Sequence, residues 1–291
     1  MWQILSVSPP ADAEGIVRAN GAFWVANYAG ASLARFTFSG KQKTFRVNYD
    51  PQEITADRDG KLWFTNARLP SEILRFDPRT SKLTAVDLTD ETDGGITLGA
   101  DGNIWVAENS HIGKVTPAGH VTEYPTPYTA GGTGLTWADG KVWFLGGKGI
   151  ASLDPRNGGV ESYGAPIYDA GGVVASDGSV FTISASVVIQ FDPKTTSVTT
   201  YDGPSRFGAS PTPGDLAVAP DGSLWYAVQR IGRHAKKVIG GGFVRFDPKS
   251  KHFRSFASPN RTDWNWDVAV APDGKVWGTA GYAVTVLDVR R

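Results

Sequence analysis

Hydrophobic positions along the chain fall into short runs, separated by Gly, Asp, Asn and Pro. Glu53-Ile54-Thr55-Ala56, Lys61-Leu62-Trp63-Phe64-Thr65, Ile73-Leu74-Arg75-Phe76 and Leu83-Thr84-Ala85-Val86 are four such runs in succession. Each is strand-length and rich in β-branched or aromatic residues, and no stretch of a dozen residues carries an apolar period of 3.6. The pattern predicts an all-β chain of short antiparallel strands, here named A to D within each group of four.

The group repeats. Asn20-Gly21, Asp59-Gly60, Asp101-Gly102, Asp139-Gly140, Asp177-Gly178, Asp221-Gly222 and Asp273-Gly274 are each followed, four residues after the Asn or Asp, by a large aromatic: Trp24, Trp63, Trp105, Trp143, Phe181, Trp225 and Trp277. These dipeptides suit the two positive φ angles of a type I′ hairpin turn. Seven copies about 42 residues apart match the length of a propeller blade. Two domains of roughly 150 residues, the expectation from length alone, give way to a single seven-bladed β-propeller of four-stranded blades over 1–291. After Asp273-Gly274 the chain has material for strands B and C but none for D. Residues 2–8, Trp2 to Ser8, resemble the D strands of other blades, so the N-terminal strand is predicted to complete the blade formed by 265–289 and to leave no open sheet edge.

In such a meander the A–B and C–D turns share one face, and the B–C and D–A loops share the other. The tight repeated turns belong to the first face. The long variable segments 202–214, 229–242 and 257–266 belong to the second, which makes the channel mouth there the candidate site. Glu14, Glu53, Asp215 and Asp267 enter strand A on that side. Asn27, Asn66 and Glu108 end or follow strand B. Oxygen-rich side chains of this kind suit Mg²⁺ or Ca²⁺, and the four acids are the candidate metal ligands. Glu108 and His111, close in one B–C loop, form a candidate acid/base pair. Arg230, Arg233 and His234 are candidates to hold an anionic group, and Trp264 and Trp266 to stack on a sugar, peptide or aromatic ligand; Asn27 and Asn66 join them as candidate ligand-binding residues.

Composition narrows the chemistry. Lys and Arg number 29 against 29 Asp and Glu, which removes the basic footprint of a nucleic-acid binder. The absence of cysteine removes disulfides, thiolate metal sites and a cysteine nucleophile. With no membrane-length apolar run, no membrane partner is expected, and no motif calls for an organic cofactor. The start of the chain lacks a secretory leader, so the protein is expected to be cytoplasmic, or exported with its leader removed. It is expected to act as a monomer on a small-molecule or peptide ligand, with a protein or glycan partner as the alternative.

Gly95-Ile96-Thr97-Leu98-Gly99-Ala100-Asp101-Gly102-Asn103-Ile104-Trp105-Val106-Ala107-Glu108, followed by Ile112-Gly113-Lys114-Val115-Thr116, resembles the blades of the virginiamycin B lyase family. The resemblance implies a seven-bladed propeller whose enzymes open a cyclic depsipeptide by magnesium-assisted elimination at its ester bond. It also implies histidines in a Pro-His-x-Ile stretch at strand A of late blades. Those positions here read Pro213-Gly214-Asp215-Leu216 and Asn265-Trp266-Asp267-Val268, and no blade has a histidine there. Ala13-Glu14-Gly15-Ile16-Val17 is similar to the first metal-ligating stretch of the gluconolactonase propellers, which implies a metal-dependent lactonase as a further alternative.

Overall fold

The structure, a computed structural model, describes residues 1–69, 71–92, 95–127, 134–146, 149–164, 170–204, 212–231, 238–259 and 265–289. Among these are seven four-stranded antiparallel sheets and no helix. Six sheets are sequential meanders, the first running Ala13–Ala19, Ala22–Asn27, Ser32–Thr37 and Gln42–Arg46. The seventh joins Asn265–Val270, Val276–Ala280 and Ala283–Leu287 to the N-terminal strand Trp2–Ser6, in register from Trp2 opposite Leu287 to Ser6 opposite Ala283. The predicted closure is therefore present, with the closing strand shorter than 2–8. No described helix is long and apolar enough to cross a membrane.

The repeated aromatics hold the ring together. Trp24, Trp63, Trp105, Trp143, Phe181, Trp225 and Trp277 are all buried, and each packs into the following blade. Trp277 of the last blade stacks on Phe23 of the first at 4.5 Å, so the ring is closed by side chains as well as by backbone. A bulky planar ring at this position bridges two splayed sheets better than any aliphatic residue, which accounts for the surplus of tryptophan.

The turns differ from expectation in one respect. Only Asn20-Gly21, Asp139-Gly140 and Asp177-Gly178 have positive φ at both residues. In the other four the glycine alone is left-handed, and its N–H reaches back three residues, as Gly60 does to the Asp57 carbonyl at 3.0 Å. These turns are one residue longer. In three of them the Asp carboxylate accepts the N–H two residues ahead, as Asp221 does for Ser223 at 3.0 Å, and in blade two Asp57 accepts the Asp59 and Lys61 N–H groups instead. The expected loop at 229–242 is also shorter than expected. Its ends continue the hairpin, with strands Leu224–Ile231 and Val238–Asp247.

Candidate functional site

A β-bulge opens strand A at the same place in five blades. In blade two, Pro51 pairs with Asn66 and Ile54 with Phe64, so Gln52 and Glu53 together face the single residue Thr65. The same shift places Glu14 and Gly15, Gly214 and Asp215, and Trp266 and Asp267 in bulges, and the fifth lies before Val173. A bulge re-aims side chains and frees backbone groups. Here threonines on strand B steady it: Glu53 N–H donates to the Thr65 hydroxyl at 3.1 Å, and Asp267 N–H to Thr279 at 3.0 Å.

The second bulge position carries an acid in blades two, six and seven, and these acids converge. Glu53, Asp215 and Asp267 each present a carboxylate oxygen within 4.8 Å of the others. Asp267 Oδ2 accepts the Ile16 N–H at 2.7 Å and its Oδ1 the Val268 N–H at 2.6 Å. Asp215 accepts the backbone N–H groups of Leu216 and Gly172. Its fit depends on Gly172, where a Cβ would stand 1.4 Å from Asp215 Oδ1. No hydrogen bond to the Glu53 carboxylate occurs among the described residues.

Burial and mutual repulsion push these groups upward. Glu53 is raised well above the usual carboxylate range by burial, then by Asp215, Asp267 and Glu14. Asp215 is raised by burial and then by Asp267, against its backbone hydrogen bonds. Asp267 rises to about 7 through burial, with the Ile16 and Val268 N–H groups opposing. Three carboxylates crowded into one half-buried space repel one another, and protons or a cation that neutralise them are favoured there. Their oxygens, part-saturated by amides and otherwise open, form the hard donor set that Ca²⁺ or Mg²⁺ takes.

Glu14 stands one bulge position earlier than the other acids and outside the trio. It lines a cavity of about 840 Å³ at the seam between the last and first blades, together with Asp12, Pro9, Pro10 and Tyr282. Burial and then Asp12 raise Glu14 to about 7. Tyr282 is 79% exposed at the rim.

Asn27, Asn66 and Glu108 share a different job. Each is buried, and each accepts the backbone N–H of an aspartate in the preceding D–A loop: Asp12 at 2.9 Å, Asp50 at 3.1 Å and Asp90 at 3.0 Å. They fasten that loop to the end of strand B. Glu108 Oε1 is buried without a partner, and burial foremost raises the group to about 7. The ring of His111 turns to Ser110 Oγ at 3.1 Å and to Asp90 at 3.8 Å; its backbone carbonyl accepts the Glu108 N–H at 2.9 Å. Arg233, His234 and Trp264 lie outside the described residues, as do the side chains of Arg230 and Trp266, whose backbones are in strands.

Several contributors carry no signature readable in one sequence. Asp12 and Tyr282 meet Glu14 only because the ring closes. Thr65 and Thr279 are signalled weakly by their shared place opposite the bulge, and Gly172 by the glycines at the same strand-A position in other blades.

The model of the virginiamycin B lyase family matches residues 8–237. The chain belongs to that family. Among solved structures, a streptogramin B lyase is 18% identical with a TM-score of 0.84, over 99% of this chain and 97% of its own. A catalytically inactive histidine-to-alanine variant of the virginiamycin B lyase of Staphylococcus aureus, with quinupristin, is 17% identical with a TM-score of 0.83, over 98% of each chain. The extracellular domain of a protein assigned to a hybrid two component system of B. thetaiotaomicron is 16% identical with a TM-score of 0.74, over 99% of this chain and 42% of its own. At these identities the likeness is one of fold. No curated protein is similar enough to the chain to count as a match.

Proposed function

We propose that this family member holds a divalent cation at Glu53, Asp215 and Asp267 and binds a small or cyclic ester or peptide ligand at the adjoining channel mouth. The convergence of the three carboxylates within 4.8 Å carries the reading. A cation there supplies charge neutralisation and a Lewis-acidic centre. Glu14 supports the ligand half: it faces the seam cavity, and a group near pH 7 is matched to proton transfer next to a carbonyl. The Glu108–His111 pair is the alternative base, and the buried position of Glu108 makes Glu14 the better-placed of the two.

The experiment has two stages. Calorimetric titration with CaCl₂ and with MgCl₂ is expected to show one site that Asp215→Asn and Asp267→Asn weaken by at least tenfold; no binding of either ion removes the cation. Incubation with quinupristin followed by mass spectrometry then separates the chemistries. A linear product of unchanged mass shows elimination, a product one water heavier shows hydrolysis, and an intact ligand leaves binding alone.

A second reading, a non-catalytic propeller presenting its mouth to a glycan or protein, is favoured by the absence of histidine at all seven strand-A positions. It predicts saturable binding without turnover that Tyr282→Ala weakens. The lactonase alternative predicts hydrolysis of a simple lactone that stops with chelator.

A further inference from the structure

The face opposite the channel mouth carries a groove between blades one and two, of about 650 Å³. Arg35, Lys43, Lys61 and Arg79 line it against only Asp59 and Asp77. Lys61 pairs with Asp59 at 3.7 Å and Arg79 with Asp77 at 3.9 Å. Lys43 lies over the Phe45 ring at 4.5 Å, and Arg35 has no ion pair or hydrogen-bond partner among the described residues. Two cations are thus left without a carboxylate in a concave site.

The molecule contains its own control. Across blade one, Trp24 is opposite Arg35, which is opposite Lys43. Across blade six, Trp225 is opposite Arg245, which is opposite Arg254. Arg254 lies over Phe256 at 4.8 Å as Lys43 lies over Phe45. The groove between blades six and seven has a similar lining, at about 420 Å³; there Asp273 pairs with Lys275 at 2.9 Å as Asp59 does with Lys61, and the further acid Asp221 faces Arg245. Asp221 sits four residues before Trp225 and binds Arg245 at 2.9 Å. Four residues before Trp24 stands the neutral Asn20, whose amide donates to the Gly60 carbonyl at 2.7 Å. Arg245 also donates to Ser223 Oγ at 3.1 Å, where blade one has Ala22 and the shorter turn, so Arg35 lacks both partners.

We infer that the groove between blades one and two is an anion site that takes a phosphate or sulfate ester of a small molecule, with Arg35 and Lys43 as its two cationic anchors. A guanidinium fork matches a tetrahedral oxyanion in two hydrogen bonds, and an ammonium beside it adds a point charge. The inference is independent of the reading at the channel mouth.

The test is calorimetric titration in low-salt buffer with glucose 6-phosphate, glucose 6-sulfate and, as a carboxylate control, gluconate. The expected result is one site for at least one ester, weaker binding of gluconate, and loss of affinity as NaCl is raised. The tighter ester identifies the source, and equal binding of both supports the shared chemistry. Asn20→Asp places a carboxylate in the groove and is expected to weaken binding at least tenfold, as is Arg35→Gln. Aspartate already occupies the same type of turn at Asp139 and Asp177, so the turn is kept; Asn20→Asp loses the bond to the Gly60 carbonyl and should melt slightly lower, whereas Arg35→Gln leaves that bond in place. The absence of saturable binding of both esters, gluconate binding as tight as the esters, or retained affinity in either variant overturns the inference.

Discussion

Asp267 of the last blade accepts the backbone N–H of Ile16 of the first at 2.7 Å, linking the two ends of the ring across 251 positions of sequence. The same carboxylate belongs to the proposed cation site, so two effects of substitution oppose each other. Asp267→Ala strands two N–H groups and is expected to destabilise the protein by about 1–3 kcal/mol for each one left buried. Asp267→Asn keeps one acceptor and relieves repulsion with Asp215 and Glu53. In chelator at pH 8 the Asn variant should melt at or above the wild type and the Ala variant below it. Added Ca²⁺ should raise the melting temperature of the wild type and of neither variant, and calorimetric scans check both.

Gly172 is expected to control cation affinity without touching the cation. A methyl group in Gly172→Ala meets Asp215 Oδ1 at 1.4 Å, so the carboxylate must swing away and its bond to that N–H is lost. Far-ultraviolet circular dichroism should stay unchanged, while Ca²⁺ affinity falls at least tenfold. Wild-type affinity in this variant would place the cation elsewhere.

Glu108 gives stability a pH dependence of definite sign. Burial raises it from 4.5 to about 7 in the folded protein, so folding favours its protonated form. Between about 4.5 and about 7 the native state holds a proton that the unfolded chain has released, and the Glu108 contribution therefore falls as pH rises through that window. Glu108→Gln should flatten this part of the curve, as measured by urea unfolding at several pH values. An unchanged slope would show that the carboxylate ionises freely where it stands.

Trp2 ties the closing strand down. Its ring lies 5.3 Å from Phe243 of blade six, and its backbone pairs with Leu287. Trp2→Ala should lower unfolding free energy by about 2 kcal/mol, below the full cost of a buried aromatic because Trp2 is part-exposed. Removal of residues 1–6 should expose the edge of Ala283–Leu287 and produce self-association visible in light scattering.

The fold was legible because its determinants are local and repeated. A turn dipeptide and an aromatic four residues later recur in fixed register, and the order of strand types at the two ends announces the closure. The site was legible in part. Glu53, Asp215 and Asp267 stand in sequence as acids entering strand A, yet their convergence depends on bulges that shift the register by one residue, a feature that no residue type marks. Glu14 follows the same sequence logic and lies outside the trio. That Asn27 and Asn66 accept the Asp12 and Asp50 N–H groups has no mark in sequence, because whether a strand-end amide meets its own loop is decided by how the D–A segment folds over it. The opposite groove was invisible in sequence, because Arg35 matters only through the absence of an acid beside it.

The pairing of Trp2 with Leu287 also sets a timetable for synthesis. At about 5–20 residues per second, a ribosome takes about 15–60 s to travel from one partner to the other. Throughout that interval the first strand has no sheet to join, and the growing arc of blades presents a bare edge at its advancing end. Completion of the ring thus waits until Leu287 has been made, however early the first six blades fold.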